Sequence, residues 1–208
     1  MNTNTTSVWR KKLKELEIVV VIPTYNNGKT LAAVIEEVYR YADDIIVIND
    51  GSTDDTANIL EQYPAIRTIT HPVNKGKGTA LKHGLSQAKK EGFRYAITID
   101  SDGQHFASDI PCFIEAIEKE PDTLLVGARN LASDNMPGKN TFANKFSNFW
   151  FRLETGLKLE DTQSGYRLYP LRKMDVQSCW YTAKYEFELE AIVFAAWGDV
   201  VEIGRASC

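Results

Sequence analysis

Short continuous runs of apolar residues alternate with amphipathic segments along the first part of the chain. Residues 18–22 and 45–48 consist entirely of Ile and Val, the composition of strands that are buried on both faces of a parallel sheet. Between them, residues 29–41 carry apolar side chains at the spacing of one helix face. The further elements predicted in this part are a helix at 54–62, a strand at 66–70, a helix at 76–91, a strand at 95–99, a helix at 108–118 and a strand at 123–126.

Regular alternation of strand and helix is typical of the α/β class. It predicts a Rossmann-like, doubly wound and mostly parallel sheet with helices on both faces. The alternation ends at residue 126. Beyond it, we predict a loop at 129–139, helices at 141–155 and 184–197, a polar and then extended segment at 161–169, and a last strand at 200–203.

No internal repeat, low-complexity segment or linker divides the chain. Its 208 residues are too few for two full domains of ordinary size. We therefore predict a single domain spanning 1–208, made of a polar N-terminal extension (1–17), a ligand-binding half (18–128) and a second half (129–208).

Three polar clusters follow the predicted strands, at residues 23–27, 50–54 and 100–105. In doubly wound sheets, ligands bind beyond the carboxyl ends of the strands. We therefore expect these clusters to converge on one site.

The sharpest chemical signal is the segment Asp100-Ser101-Asp102-Gly103-Gln104, directly after a buried strand. Carboxylate and amide oxygens are hard ligands suited to Mg²⁺ or Mn²⁺. We predict that Asp100, Asp102 and Gln104 hold such an ion, which would neutralise a departing diphosphate. The competing interpretation is a solvated acidic turn.

Other polar residues are candidate ligand contacts, each with a simpler structural explanation. Asp50 would accept hydrogen bonds from a base or ribose. The simpler explanation for most of residues 49–56 is a turn followed by a helix cap. The Gly- and Lys-rich segment 74–78 precedes a helix and suits a phosphate, or is a solvated loop. Arg129 and Arg167 would clamp phosphate oxygens, or pair with surface carboxylates.

Composition and charge exclude several other classes of protein. The net charge of −4 argues against nucleic-acid binding. Residues 23–30 imitate a phosphate-binding P-loop, but Pro23 stands where that loop needs Gly. An odd number of cysteines, three, without a CxxC pair indicates neither a disulfide framework nor a zinc site. No apolar segment is long enough to span a membrane, so the cytoplasm is the expected location.

Six segments, in this order, resemble the GT-A-fold glycosyltransferases of family 2, nearest the dolichyl- or polyprenyl-phosphate mannose or glucose synthases. The segments are Pro23–Asn27, Asn49–Asp54, Asn74–Gly78, Asp100–His105, Gly127–Arg129 and Asp161–Arg167. Asn27 stands where the family often has Glu, which is a departure at the nucleoside pocket. The last residues do not resemble the family's continuation, which indicates a truncation or a form without further helices.

The resemblance implies a role for each matching residue. A donor sugar nucleotide, GDP- or UDP-linked, would be bound in the 18–128 half, and 129–208 would be the acceptor side. The nucleotide-sugar contacts would be Pro23, Tyr25, Asn27, Asp50, Lys77, Asp100 and Ser101. The catalytic residues would be Asp102, Arg129, Asp161 and Arg167.

The implied reaction is a single displacement that inverts the anomeric carbon. The two arginines favour an anionic acceptor, a polyprenyl or dolichyl phosphate, which needs no general base. A glycan or other hydroxyl acceptor would need one, and Asp161 is the candidate. A lipid acceptor also implies peripheral association with the cytoplasmic membrane face. The alternatives are a nucleotidyltransferase that makes the nucleotide sugar, and a non-catalytic domain that binds it.

Overall fold

The computed structural model describes residues 3–127, 164–174, 186–197 and 203–206. Its helices are α1 (Thr3–Glu15), α2 (Gly28–Tyr39), α3 (Thr56–Glu61), α4 (Lys77–Lys90), α5 (Ile110–Lys119, preceded by a 3₁₀ turn at Ala107–Asp109) and α6 (Glu186–Trp197). Its strands are β1 (Ile18–Thr24), β2 (Ile45–Asn49), β3 (Arg67–Thr70), β4 (Tyr95–Thr98), β5 (Leu124–Gly127), β6 (Arg167–Pro170) and β7 (Ile203–Ala206).

The strands form one sheet in the order β3-β2-β1-β4-β6-β5-β7. The pairs β1–β2, β1–β4, β2–β3 and β5–β7 are parallel, whereas β6 runs antiparallel to both β4 and β5. The order of strands along the sheet changes direction between β1 and β4. From β1 the chain continues to β2 and β3 on one side, whereas β4 and the later strands lie on the other side. Such a reversal point opens a crevice at the carboxyl ends of the strands. The mostly parallel α/β fold predicted from the sequence is confirmed.

Alternate residues of the apolar strands pack into two separate hydrophobic cores, one on each face of the sheet. Val20 and Ile22 pack in the cluster that includes α2 and α5, whereas Val19 and Val21 pack in the cluster that includes α4 and α6. Because successive side chains of a strand point to opposite faces, a strand covered by helices on both sides must be apolar throughout. This explains the unbroken Ile and Val runs.

The N-terminal segment differs from the expectation of a polar extension. Residues 3–15 are helical, and Leu13 is buried in the core, with Trp9 and Leu16 packed against the same cluster. These three apolar residues follow a spacing of four and then three, so they share one face of α1. The basic residues between them, Arg10, Lys11, Lys12 and Lys14, obscured this face in the sequence.

Smaller differences concern the end of the chain and the cysteines. The last strand begins at Ile203, where the sequence pattern indicated 200–203. Cys112 is disulfide-bonded, contrary to the expectation of no disulfide, and its partner lies outside the described residues. The predicted helix at 141–155 also lies outside them. None of the helices in the described ranges combines the length and apolar character needed to cross a bilayer.

Candidate active site

A pocket of about 500 Å³ opens at the carboxyl ends of β1, β2 and β4 and at the first turn of α4. The three polar clusters that follow these strands meet there. The residues lining the pocket are Pro23, Thr24, Tyr25, Asn27, Asp50, Asn74, Gly76, Lys77, Ala80, Asp100, Ser101 and Asp102. All of the sequence-derived nucleotide-sugar contacts are in this set. Gln104 and Arg167 are not, and Arg129 and Asp161 lie outside the described residues.

The loop after β1 is hydrogen-bonded to the loop after β4 and to the loop after β2. Asn27 donates from Nδ2 to the hydroxyl of Ser101 at 2.8 Å, and the main-chain N–H of Gly28 donates to Asp54 Oδ2 at 2.9 Å. The hydroxyl of Thr56 donates to the same Asp54 carboxylate, at Oδ1. This bond is the main reason why the pKa of Asp54 lies below its ordinary value. The pocket wall formed by Asn27 is therefore held in place before any ligand arrives.

Asp50 is a buried carboxylate whose hydrogen bonds shape the loop before α4. It is 2% exposed. It accepts from the main-chain N–H groups of Lys75 at 3.0 Å and Gly76 at 2.8 Å, and from Nδ1 of His71 at 2.6 Å. Although Asp50 lines the pocket, these contacts show that it also orders the segment that leads to Lys77.

Two histidines extend the hydrogen bonds of Asp50 towards the surface. The ring of His71 donates from Nδ1 to Asp50, and its Nε2 lies within hydrogen-bond distance of Nδ1 of His83, 2.9 Å away. The two rings are stacked, with centroids 5.1 Å apart. Partial burial lowers the pKa of His83, and the neighbouring His71 and lysines lower it further. The neutral form of His83 is therefore favoured.

This arrangement predicts unequal effects of removing the two histidines. We expect His71→Ala to lower the free energy of unfolding by about 1–3 kcal/mol, because the buried Asp50 carboxylate would lose a hydrogen-bond donor. The matched change His83→Ala removes the exposed member of the pair, and we expect it to lower the free energy of unfolding by less than about 0.5 kcal/mol. Urea unfolding of both variants measures the difference. Equal effects would contradict a specific link between His71 and Asp50.

Lys77 is clamped between two acidic side chains at the floor of the pocket. Its Nζ lies 2.7 Å from Asp100 Oδ1 and 2.9 Å from Asp100 Oδ2, and 3.0 Å from Glu188 Oε1. Burial by itself lowers the pKa of Lys77, but the Glu188 and Asp100 carboxylates outweigh burial, so its pKa is raised. The ammonium is therefore charged throughout the neutral range.

Gly165 closes over this cluster without leaving room for a side chain. A Cβ atom at Gly165 would lie 2.5 Å from Asp100 Oδ2, 2.8 Å from Lys77 Nζ and 2.9 Å from Glu188 Oε1. The Gly165 carbonyl accepts from the hydroxyl of Thr98 on β4 at 2.7 Å. Glycine is thus required here for close approach, and β4 sets the position of the loop.

Asp102 occupies the outer rim of the pocket and is exposed. Its Oδ1 accepts from the main-chain N–H of Gln104 at 2.9 Å, and Gln104 itself is exposed and does not line the pocket. The predicted third ligand, Gln104, therefore contributes its main chain to orienting Asp102. Its side chain is not among the groups that the structure gathers around the pocket.

The donor set of the pocket fits a hard divalent cation. Two carboxylates, of Asp100 and Asp102, face one cavity, and Asp100 already binds a cationic group, the Lys77 ammonium. Among the described residues, no group of three or more His, Cys, Asp or Glu side chains could hold an ion. Mg²⁺-type sites commonly combine one or two carboxylates with substrate phosphates, and two carboxylates suffice for such a site.

Arg167 was expected to meet a phosphate, but its observed contacts are with the protein. The side chain is fully buried. Its Nε donates to the carbonyl of Ser164 at 2.7 Å, and its Nη1 donates to the main-chain carbonyl of Glu188. Arg167 therefore ties the loop that carries Gly165 to the helix that carries Glu188. These contacts indicate a positioning role in place of the predicted phosphate clamp.

His105 lies beside Asp100, and Tyr166 packs against His105. Nε2 of His105 lies 3.8 Å from Asp100 Oδ2, and its ring centroid is 5.2 Å from that of Tyr166. The Tyr166 hydroxyl donates to the carbonyl of Phe106 at 3.1 Å. Burial raises the pKa of Tyr166 well above its ordinary value, so this tyrosine stays a neutral donor.

Sequence reasoning missed Glu188, His71 and the specific need for Gly165. Glu188 had a readable signal, because it interrupts the otherwise apolar face of the helix 186–197 that packs on the sheet. An acidic residue in such a place is buried only with a partner. His71 and Gly165 had none, since their partners are 12 residues or more away along the chain.

Comparisons with known proteins agree with the fold. A sequence model of the family described as Glycosyl transferase family 2 matches residues 19–176. The UDP-N-acetylglucosamine–dolichyl-phosphate N-acetylglucosaminyltransferase of Methanococcus voltae is 31% identical over 199 residues, covering 86% of this chain and 79% of the relative. The polyprenol monophosphomannose synthase of Mycolicibacterium smegmatis is 27% identical, covering 77% of this chain and 65% of the relative.

Among solved structures, the chain resembles glucosyl-3-phosphoglycerate synthase from Mycobacterium tuberculosis in complex with Mn²⁺, UDP-glucose and phosphoglyceric acid. The TM-score is 0.72 at 22% identity, over 97% of this chain and 73% of that one. This likeness establishes the GT-A fold. The family match covers most of the chain, and it favours a sugar transferase over the nucleotidyltransferase alternative. The chain is a glycosyltransferase that belongs to glycosyl transferase family 2.

Proposed function

We propose that this protein is an inverting, metal-dependent transferase that moves a hexose from a GDP- or UDP-sugar to a polyprenyl or dolichyl phosphate. The observation that carries the proposal is the convergence of two carboxylates, Asp100 and Asp102, with Lys77 and the first turn of α4 in one pocket. This combination suits a diphosphate bound together with a divalent cation. A sugar nucleotide supplies that diphosphate.

The ion would be held by Asp100 and Asp102, with diphosphate oxygens completing its coordination. When bound, it supplies positive charge next to the departing nucleoside diphosphate, in the manner of a Lewis acid. Solved GT-A-fold relatives contain Mn²⁺ or Mg²⁺ together with UDP, which supports this assignment. The two carboxylates in the pocket of this chain support the same assignment independently.

The other pocket residues would orient the donor. The N-terminus of α4 exposes main-chain N–H groups and the positive end of the helix dipole, both favourable to phosphate. Asp50 holds the preceding loop in the shape that presents them. Tyr25 and Asn27 would contact the nucleoside, with Asn27 fixed by Ser101. Preorganised groups of this kind stabilise developing charge because they need no rearrangement during the reaction.

An anionic lipid acceptor is our choice of second substrate. Relatives that align over most of this chain are named for transfer to dolichyl phosphate or for polyprenol monophosphomannose synthesis. A phosphate oxygen attacks the anomeric carbon directly, the bond to the nucleoside diphosphate breaks, and no proton has to be removed. Arg129 is our candidate for binding the acceptor phosphate. With a hydroxyl acceptor, Asp161 would take the proton. A lipid substrate also implies contact with the cytoplasmic face of a membrane.

Nucleotide binding gives a direct test. We expect GDP or UDP at 100 times its dissociation constant to raise the free energy of unfolding by about 2.7 kcal/mol. The stabilisation should be larger with Mn²⁺ than without it, because metal and diphosphate share a site. Thermal unfolding with each nucleotide, with and without Mn²⁺, measures this and identifies the base.

Asp102→Ala is the control for the metal-dependent part of the effect. It should keep part of the nucleotide effect and lose the additional stabilisation from Mn²⁺. If neither nucleotide, at millimolar concentration with Mn²⁺, stabilised the protein, the donor site would be refuted. If nucleotide bound but no sugar were transferred to any acceptor, the non-catalytic alternative would gain support.

A further inference from the structure

Lys77 has two acidic partners, and only one of them belongs to the carboxylate pair assigned to the metal. Asp100 lines the pocket. Glu188 belongs to α6, is 5% exposed, and does not line the pocket. One ammonium group therefore bridges a pocket carboxylate and a buried carboxylate, at 2.7 Å and 3.0 Å respectively.

This bridge raises an electrostatic difficulty for metal binding. A divalent cation on Asp100 would have to displace the Lys77 ammonium from that carboxylate, and the two positive groups would repel each other. Burial strengthens such repulsion because the effective dielectric constant is lower than in water. An anionic partner for the displaced ammonium would remove most of this cost.

We propose that Glu188 is that partner, so that the Lys77 ammonium passes from Asp100 to Glu188 when a divalent cation binds. Glu188 thereby sets the affinity of a metal site to which it is not itself a ligand. This inference rests on the proposed metal-dependent function. Glu188 is a positioning residue, because it acts through Lys77.

The structure prepares Glu188 for this role. Its main-chain carbonyl accepts from the buried Arg167, which fixes this turn of α6 relative to the Gly165 loop. Gly165 lies against Asp100, Lys77 and Glu188 at once, so the ammonium is confined between the two carboxylates. It needs only a small movement to exchange its bridging position for one on Glu188 alone.

The test compares Mn²⁺ binding to four proteins by electron paramagnetic resonance of the free ion, with Mn²⁺ alone and with saturating UDP or GDP. We expect Glu188→Gln to weaken Mn²⁺ binding about tenfold or more, because a buried charge loses its partner. The double variant Lys77→Met/Glu188→Gln removes one charge of each sign, and it should return the affinity for Mn²⁺ alone to within a few-fold of the wild type.

Glu190→Gln is the matched control, with the same chemical change two positions along α6. Among the described residues, the carboxylates paired with the Lys77 ammonium are those of Asp100 and Glu188, so this variant should bind Mn²⁺ like the wild type. A Glu188 that merely supported the fold would give a double variant at least as weak as the single one. Rescue by the second substitution therefore separates the charge effect from a structural one.

The outcomes distinguish this inference from the proposed function. If the wild type and Glu188→Gln bound Mn²⁺ equally, or the double variant showed no rescue, the role of Glu188 would be overturned while the metal site stood. If the wild type bound no Mn²⁺, either alone or with nucleotide, both would fall. Weakening by Glu188→Gln with rescue in the double variant would establish the exchange.

Discussion

Asp102→Ala is expected to lower the rate of sugar transfer by about 10²-fold or more, the effect typical of losing a group that stabilises charge in the transition state. Asp102 lines the pocket together with Asp100 and Lys77. Its loss would weaken the hold on the ion that balances the departing diphosphate. The fold should survive, because Asp102 is exposed and its described hydrogen bond is with the main chain of Gln104.

The measurement is the initial rate of transfer from a GDP- or UDP-hexose to a polyprenyl phosphate with Mn²⁺, alongside a thermal unfolding curve. Asp55→Ala is the control, an exposed aspartate in the loop after β2 that does not line the pocket. It should retain a rate within a few-fold of the wild type. An Asp102→Ala enzyme that did the same would remove Asp102 from the metal site.

The second large effect is expected from a single methyl group. Gly165→Ala would place a carbon within 3.0 Å of three atoms, on Asp100, Lys77 and Glu188. These atoms are the tips of side chains, but they are held by one another through ion pairs. Relief of the clash therefore requires breaking a pair or moving the loop.

We expect Gly165→Ala to lower the free energy of unfolding by about 1–3 kcal/mol through overpacking. The rate should fall about 10²-fold, because misplacing catalytic groups by about 1 Å has that effect. Urea unfolding and initial rates measure the two quantities. Mn²⁺ binding should weaken in parallel, since Asp100 is the nearest group to the added carbon.

Gly92→Ala is an instructive control. Gly92 has a φ of +91°, so an alanine there is strained, but a Cβ would have nothing within 4 Å. We expect backbone strain alone to lower the free energy of unfolding by about 1 kcal/mol, and the rate of sugar transfer to be unchanged. If Gly165→Ala were as active as Gly92→Ala, the tight packing over Lys77 would not matter for function.

The sequence predicted the pocket well wherever the chemistry lies at the ends of strands. The apolar runs at 18–22 and 45–48 place β1 and β2, and the polar residues that follow must then lie at the same edge of the sheet. Asp50 and Asp100 were found in this way. A parallel sheet aligns its carboxyl ends, so the order of elements is enough to gather these residues.

The roles of individual side chains were harder to predict than their location. Arg167 and Asp50 were both expected to face a ligand. Arg167 instead donates to main-chain carbonyls within the core. Asp50 lines the pocket, but it also accepts from main-chain N–H groups and His71. A residue type indicates which bonds a side chain forms, but the identity of its partner depends on which segments approach it.

The sequence by itself therefore determined the α/β class, the family, and the edge of the sheet that carries the polar clusters. These follow from periodicity and from the order of motifs, which are properties of neighbouring residues. Only the tertiary structure decided that Lys77 bridges Asp100 to Glu188 and that Gly165 must be a glycine. Those contacts join residues 23 or more positions apart, and the antiparallel insertion of β6 beside β4 brings Gly165 against the cluster. Local patterns carry no information about such an approach, because it is set by how the whole sheet packs.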